Sequence, residues 1–207
     1  MKKYELLKDD TIEVAGKTLF RIKALISFKD IRKGEIGGYV EAERNLSQSG
    51  NAWVSGNAWV TGNAWVCDDA CVTGNAWVCD DAWVSGNAWV CDDAWVSGNA
   101  CVTGNARVSD NAWVSGNACV TGNAWVCDDA WVSGNAWVET SNDYIVFKNN
   151  WSSFRWFTYT KSNKMWRVGC FYGTGDELIK EAYADSEESG RKYELYVNLV
   201  KELYRDE

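Results

Sequence analysis

The chain has 207 residues, contains no histidine or proline, and carries a formal net charge of −8 at pH 7. Because histidine is the commonest general base and metal ligand, its absence excludes a Ser–His–Asp or Cys–His catalytic arrangement. An acidic chain without basic stripes is also a poor partner for nucleic acid, which proteins bind through lysine and arginine.

The compartment is predicted from three features. The apolar runs are too short to span a membrane, and the polar start Met-Lys-Lys-Tyr-Glu does not resemble a signal peptide. Seven of the eight cysteines occupy repeat positions where serine, threonine or tryptophan also occur, which is not typical of a disulfide framework. We therefore expect a cytoplasmic protein that does not bind membranes and has reduced cysteines.

Residues 1–48 are predicted to form a small β-rich cap at the N-terminal end of the repeat. Polar and apolar residues alternate on both sides of Ala15-Gly16, which predicts a hairpin with a glycine turn. Tyr39-Val40 could be an irregular first repeat, because it precedes Trp53-Val54 by 14 residues and is out of phase with a six-residue period. A cap is needed because an open end of stacked strands leaves an unpaired edge.

Residues 49–138 repeat one six-residue unit fifteen times, typified by Ser-Gly-Asn-Ala-Trp-Val. Alanine recurs at every sixth position from Ala52 to Ala136, and valine does so from Val54 to Val138. Since side chains alternate along a strand, we expect alanine and valine to point inward and tryptophan and serine to point outward. The Gly-Asn and Asp-Asp pairs are predicted to form the corners.

This pattern, as in residues 54–59, resembles the hexapeptide-repeat family. The resemblance implies a left-handed parallel β-helix in which three repeats form one 18-residue coil, so that residues 49–138 would form about five coils. Residues 37–54 and 169–179 further resemble the two ends of uncharacterised bacterial and phage proteins of this type, often labelled as transferases. If the chain is phage-encoded, the resemblance implies the host cytoplasm.

Residues 139–207 are predicted to form an α+β module, with strands followed by helices. Three aromatic alternating runs, within residues 144–148, 154–160 and 165–172, are most simply three strands. A capping box at Thr174–Glu177 predicts a helix start, and the polar stretch 181–189 is expected to break that helix. A second helix over residues 190–204 should cover the strands or the open end of the solenoid with one apolar face: Tyr193, Tyr196, Val197, Val200 and Tyr204.

Counted in coils of 18 residues, the outward positions fall on three faces. The second face is an unbroken tryptophan ladder, formed by Trp59, Trp77, Trp95, Trp113 and Trp131. The other two faces are interrupted, and their positions are Trp53, Cys71, Trp89, Arg107 and Trp125 on the first and Trp65, Trp83, Cys101, Cys119 and Trp137 on the third. The ladder could simply stiffen the rod. It would also leave roughly several hundred Å² of apolar surface, so we expect a partner to cover it, most simply further copies in a dimer or trimer.

Two groups of residues are candidates for binding a small planar or nucleotide-like ligand. Arg107 lies between Trp89 and Trp125 on the first face, where it could fill a gap by cation–π contact or meet an anion. The second group combines basic and aromatic side chains of the C-terminal module: Arg155, Trp156, Lys161, Lys164, Trp166 and Arg167.

One corner of the solenoid is acidic over three successive coils, with Asp92, Asp93, Asp110, Asp128 and Asp129. These residues are either solvated turn residues or a weak Ca²⁺ or Mg²⁺ site. Cys101 and Cys119 are stacked neighbours, close enough for a disulfide, but we expect free thiols. We expect no cofactor.

The favoured function is a non-catalytic scaffold or interaction protein whose tryptophan ladder mediates self-association or partner binding. The resemblance to phage proteins implies an alternative, sequestration of a nucleotide-like signal or inhibition of a host defence protein. A second alternative is a diverged acyltransferase-like enzyme that lacks the usual histidine. Recent duplication of the repeat would also produce a ladder, without any function behind it.

Overall fold

The alanine and valine of every repeat point into one narrow core. In the computed structural model, which describes residues 2–151 and 154–205, the repeat alanines and valines are each at most 1% exposed. The tryptophan positions face outward from the parallel strands of three sheets, but Trp53 is only 3% exposed because Tyr4 and Phe28 of the N-terminal cap pack against it. The predicted mainly-β solenoid with 18 residues per coil is therefore confirmed.

Three longer strands precede the repeat: β1 (Tyr4–Val14), β2 (Lys17–Ala24) and β3 (Ile36–Val40). β1 and β2 form the predicted antiparallel hairpin, whose turn residues Ala15 and Gly16 both have positive φ. β3 pairs antiparallel with β2 on one side and parallel with the first repeat strand of its sheet on the other. The hairpin therefore continues a sheet of the solenoid.

Tyr39-Val40 belongs to an irregular first coil, as the sequence suggested. It pairs with Trp59-Val60, and Leu46 pairs with Val66, so both spacings are 20 residues instead of 18. A short 3₁₀ helix, Glu43–Asn45, lies between these two pairs. This extra coil brings the solenoid to about six coils.

Each repeat contributes one two-residue strand, and the fifteen strands are numbered β4 to β18. In order they are Trp53–Val54, Trp59–Val60, Trp65–Val66, Cys71–Val72, Trp77–Val78, Trp83–Val84, Trp89–Val90, Trp95–Val96, Cys101–Val102, Arg107–Val108, Trp113–Val114, Cys119–Val120, Trp125–Val126, Trp131–Val132 and Trp137–Val138. Every third strand stacks in one sheet. The first face is β4-β7-β10-β13-β16, the second is β5-β8-β11-β14-β17 and the third is β6-β9-β12-β15-β18.

The corners explain why Gly-Asn and Asp-Asp are interchangeable. The first corner residue has a left-handed backbone, with φ between 58 and 61° at five aspartates. Glycine adopts this conformation freely, and aspartate tolerates it better than most residues. The second corner residues form side-chain ladders, such as Asn99 to Asn117 at 3.0 Å and Asn117 to Asn135 at 3.1 Å.

Hydrogen bonds between coils have one polarity, which determines what each end of the solenoid requires. The N–H of one coil donates to a carbonyl of the next coil, as from Trp53 to Ala70 at 3.0 Å. The carbonyls of the first full coil therefore receive no hydrogen bond from a preceding repeat. The N–H groups of the last coil have no following repeat to which they can donate. Buried groups of either kind must find other partners.

At the N-terminal end the missing partners are donors. Lys3 Nζ donates to the carbonyl of Ala52 at 2.8 Å, and Asn45 Nδ2 donates to the carbonyl of Ala64 at 2.9 Å. The backbone N–H of Tyr39 donates to Ala58 at 2.9 Å. A buried lysine and a buried asparagine thus replace backbone groups.

At the C-terminal end the missing partners are acceptors, and side-chain hydroxyls supply them. Ser141 accepts from the backbone N–H of Trp125 at 3.1 Å, and Thr158 accepts from that of Trp131 at 2.8 Å. On the third face, Ser162 accepts from the N–H of Trp137 at 2.7 Å. Each sheet therefore ends on one hydroxyl group.

The C-terminal module has one more strand than predicted. Its antiparallel sheet contains β19 (Tyr144–Lys148), β20 (Trp156–Thr160), β21 (Met165–Val168) and β22 (Phe171–Gly173). The run over residues 165–172 is not one strand but a hairpin, because Gly169 turns the chain with φ of 56°.

Two helices follow, α1 (Gly175–Asp185) and α2 (Glu187–Leu203). The predicted capping box is present, since the Thr174 side chain accepts from the Glu177 N–H and the Glu177 carboxylate accepts from the Thr174 N–H at 2.8 Å. The expected break is narrower than predicted. It is a single residue, Ser186, which caps α2 by accepting from the N–H of Ser189 at 3.1 Å.

The apolar face of α2 packs on the sheet of the C-terminal module, as expected. Val197 and Val200 are buried beside Phe157 and Trp166 of that sheet. No helix in the described ranges is long and apolar enough to cross a membrane.

Candidate functional site

The tryptophan ladder is a column of rings that cover one another. Trp95, Trp113 and Trp131 are stacked nearly parallel, with centroids 4.6 and 4.2 Å apart. Towards the N-terminal end the rings tilt, at 41° between Trp59 and Trp77 and 67° between Trp77 and Trp95. All five tryptophans are partly buried.

An arginine lies at each end of this column. At the C-terminal end, the guanidinium carbon of Arg167 is 3.5 Å from the ring centroid of Trp131. At the N-terminal end, Tyr39 pairs in register with Trp59, and the guanidinium carbon of Arg21 is 4.2 Å from the Tyr39 ring centroid. Both are cation–π contacts from outside the repeat, which the six-residue period could not reveal.

Three of the five indole N–H groups of the ladder have defined partners. Trp95, Trp113 and Trp131 each donate to the side chain 16 residues earlier, which is Cys79, Ser97 and Ser115, at 3.2, 3.2 and 3.0 Å. The same bond links Trp83 to Cys67 and Trp125 to Ser109. The sequence does contain this signal, because serine or cysteine stands 16 residues before each of these five tryptophans.

The repeat thiols are structural groups. Burial raises the pKa of Cys67 and Cys79, and it raises the pKa of Cys91 to about 12, aided by the neighbouring carboxylate of Asp92. These thiols are therefore protonated near pH 7, and a neutral thiol is a poor nucleophile.

The most exposed tryptophans lie on the two interrupted faces. Trp65, Trp83 and Trp137 on the third face and Trp89 and Trp125 on the first are between 42% and 54% exposed. They are more exposed than the ladder because cysteine or arginine interrupts their stacks. The apolar surface open to a partner is thus distributed around the rod.

Arg107 fills the gap in the first face. Its guanidinium carbon is 4.5 Å from the Trp89 ring centroid and 5.3 Å from that of Trp125. The geometry agrees with the cation–π interpretation.

The predicted basic and aromatic group is divided between two places. Arg155, Trp156 and Arg167 line a cleft of about 230 Å³ together with the ladder residues Trp113 and Trp131. Lys161 and Lys164 line a separate cavity, of about 480 Å³, beside α2.

Trp166 lines that second cavity but is only 2% exposed and packs in the core of the module. Its expected place beside the arginines is therefore wrong. Trp166 and Arg167 are consecutive in β21, so their side chains point to opposite faces of the sheet.

Two further clefts follow the ladder. One, of about 490 Å³, runs between Trp59, Trp77 and Trp95 and the corner side chains Asn57, Asn75 and Asp93. The other, of about 300 Å³, lies between the same rings and the tip of the β1–β2 hairpin.

The acidic corner does not form a metal site in the structure. No group of three or more histidine, cysteine, aspartate or glutamate residues that could hold a metal ion is present in residues 2–151 and 154–205. Within each repeat the carboxylates accept local hydrogen bonds, as Asp110 does from Ser109 at 2.9 Å and Asp92 from Cys91 at 3.1 Å.

The expectation of free thiols at Cys101 and Cys119 is wrong, because the two form a disulfide between adjacent coils. Their Cα atoms are 4.6 Å apart, within the range that a disulfide needs, because stacking places them directly above each other. The other six cysteines are free.

A family model described as YdcK Beta solenoid repeat matches residues 112–128, which is slightly less than one coil. Comparison with curated proteins gives no significant match. The match and the observed coils agree on a β-solenoid.

Proposed function

We propose that this chain is a non-catalytic scaffold of the hexapeptide-repeat β-helix type that associates with further copies of itself through its tryptophan-rich outer surface. The observation that supports this is the third face of the solenoid, where Trp65, Trp83 and Trp137 are between 46% and 54% exposed and lie beside the ladder. A monomer rarely shows so much exposed aromatic surface without a partner. A straight rod presents the same face to a second copy, as a two-fold or three-fold assembly requires.

We place the self-association interface on the ladder and the third face. They are adjacent faces of the solenoid, joined by the corners that contain Asn63, Asp81 and Asn99. The ladder contributes two clefts, and the third face contributes Trp65, Trp83 and Trp137.

The experiment is sedimentation velocity over a hundredfold range of concentration on the full chain. We expect a dimer or trimer at high concentration. A double variant, Trp65→Ser with Trp83→Ser, should shift the equilibrium towards monomer. The matched control is Trp89→Ser with Trp125→Ser on the first face, where two tryptophans of similar exposure are removed.

A strictly monomeric chain at every concentration would reject the self-association. Equal effects of the two double variants would show that the interface is not where we place it.

A second candidate function is capture of a small anionic ligand, the form of the signal-sequestering alternative that the structure favours. Its support is the cleft in which Arg155 and Arg167 meet two tryptophans at the end of the ladder. An acyltransferase-like activity has less support, because the repeat has no histidine and its thiols have raised pKa values.

A further inference from the structure

Three arginines stack on aromatic rings of the solenoid: Arg21, Arg107 and Arg167. Arg21 pairs with Asp10 at 3.2 Å and donates to the carbonyl of Gly37 at 3.0 Å. Arg107 lies between two tryptophan rings and counteracts the rise in the pKa of the nearby Cys91 thiol, and its buried Nε, like that of Arg167, has no hydrogen-bond partner among the described residues. The guanidinium of Arg167 has neither a hydrogen bond nor an ion pair among the described residues.

Arg167 is also partly removed from water. Its Nε atom is buried, and desolvation lowers the pKa of its guanidinium. The ring of Trp131 offers some compensation at 3.5 Å, but a ring face does not satisfy the N–H donors at the edge of the guanidinium plane. A buried donor without a partner is costly, and more so when it is charged.

A second arginine lines the same cleft. Arg155 is exposed and, in the part of the chain that the structure describes, its side chain has no ion pair. Asp129 is the one carboxylate in the lining, and no ion pair within 4 Å joins it to either arginine. The described lining therefore carries a net positive charge in a chain whose formal net charge is −8.

The size and walls of the cleft restrict what it can hold. Its volume of about 230 Å³ is less than the roughly 300 Å³ at which drug-sized sites begin. One charged group fits, and the partly buried Trp156 at the edge offers an apolar surface to the remainder of a ligand. Two guanidinium groups match the planar or tetrahedral oxygens of a carboxylate or phosphate.

We propose that Arg155 and Arg167 bind the oxyanion of a small ligand, a phosphate monoester or a carboxylate, whose apolar part lies against Trp156. This inference deepens the second candidate function and is independent of self-association. The ladder then has a binding site at its C-terminal end, where the aromatic column gives way to two arginines.

The test is isothermal titration calorimetry of the full chain at constant ionic strength with phenyl phosphate, benzoate and phenol. We expect phenyl phosphate or benzoate to bind with a Kd below about 1 mM, and phenol to bind at least tenfold more weakly. The stronger of the two anions identifies the oxyanion. Absence of binding by both anions, or equal binding of phenol, overturns the proposal.

Two variants and a control locate the site. Arg155→Gln, at an exposed position, should weaken anion binding by about tenfold or more, because one charge-assisted contact is lost. Arg167→Lys keeps the charge but loses the planar donors and should also weaken binding. Arg191→Gln removes an exposed arginine of α2 outside the cleft and should leave the affinity unchanged.

Unchanged affinity in Arg155→Gln, or equal loss in Arg191→Gln, would show that the anion does not bind at this cleft. Sedimentation of the same variants separates the two proposals. A variant that no longer binds the anion can still form the oligomer, and a chain that stays monomeric can still bind the anion.

Discussion

The side-chain oxygen of Thr158 accepts a hydrogen bond from the backbone N–H of Trp131 at 2.8 Å, and Thr158 is only 2% exposed. Thr158→Val keeps the shape and removes the acceptor, which leaves a buried N–H without a partner. We expect a loss of about 1–3 kcal/mol in the free energy of unfolding, measured by denaturant titration. The control is Ser162→Ala, which removes the equivalent bond to Trp137 at an exposed site where water can replace it. Equal losses in the two variants would contradict this account.

Lys3 gives the N-terminal end a measurable pH dependence. Burial lowers the pKa of its ammonium from 10.5 to about 8. Below pH 8 both folded and unfolded chains are protonated there, and the buried charge costs stability. Between about pH 8 and 10.5 the unfolded chain binds more protons at this residue than the folded chain, so the contribution of Lys3 to stability rises with pH.

Comparison with Lys3→Met isolates that contribution from the other groups that titrate at high pH. The free energy of unfolding of the parent chain, minus that of the variant, should rise by up to about 1.4 kcal/mol per pH unit in this window. A difference that is constant from pH 7 to 10.5 would mean that Lys3 keeps its ordinary pKa.

The indole bonds predict unequal roles for two buried serines. Ser97 accepts from the indole of Trp113, whereas the residue 16 positions after Ser85 is Cys101 and no indole is present. The two serines are 8% and 5% exposed. We expect Ser97→Ala to lower the free energy of unfolding by about 1 kcal/mol and Ser85→Ala to change it less. Denaturant titrations with two optical probes test this, and a larger loss at Ser85 would refute the indole assignment.

The disulfide predicts a thiol count. Alkylation of the unfolded chain without reductant should modify six cysteines, and after reduction it should modify eight. Because the bond closes a loop of 18 residues, Cys101→Ser should cost about 3 kcal/mol in oxidising buffer and little in reducing buffer. Cys67→Ser, at a free thiol, is the control for the reductant effect. Eight alkylated thiols without reductant would contradict the bond.

The solenoid itself was predictable because every repeat contains the same local sequence pattern. Alternation places Ala58 and Val60 inside and Trp59 on the outward side, and the corner residues allow the left-handed backbone. The capping box at Thr174 was predictable for the same reason, since it is a local pattern. The rest depends on contacts between distant segments. Arg167 contacts Trp131, and Lys3 contacts Ala52, and the six-residue period of the repeat does not predict either contact.

The division of the basic and aromatic group shows a second limit. Residues 155–167 are close in sequence, but strand alternation sends Phe157 and Trp166 towards the helices and Thr158 and Arg167 towards the solenoid. Trp166 and Arg167 both lie in β21, before the turn at Gly169, so alternation along this strand, and not the turn, divides the group.

The one-way hydrogen bonding between coils also affects the length of the protein. Every internal coil presents carbonyls to the coil before it and N–H groups to the coil after it, so an added coil meets the same partners as any other. The lysine and asparagine at one end and the three hydroxyls at the other would be unchanged by an insertion of 18 residues. Each such duplication would move the hairpin and the helices apart by a fixed step of about 4.8 Å. The length of the solenoid can thus change in whole coils while the residues that satisfy its two ends stay the same.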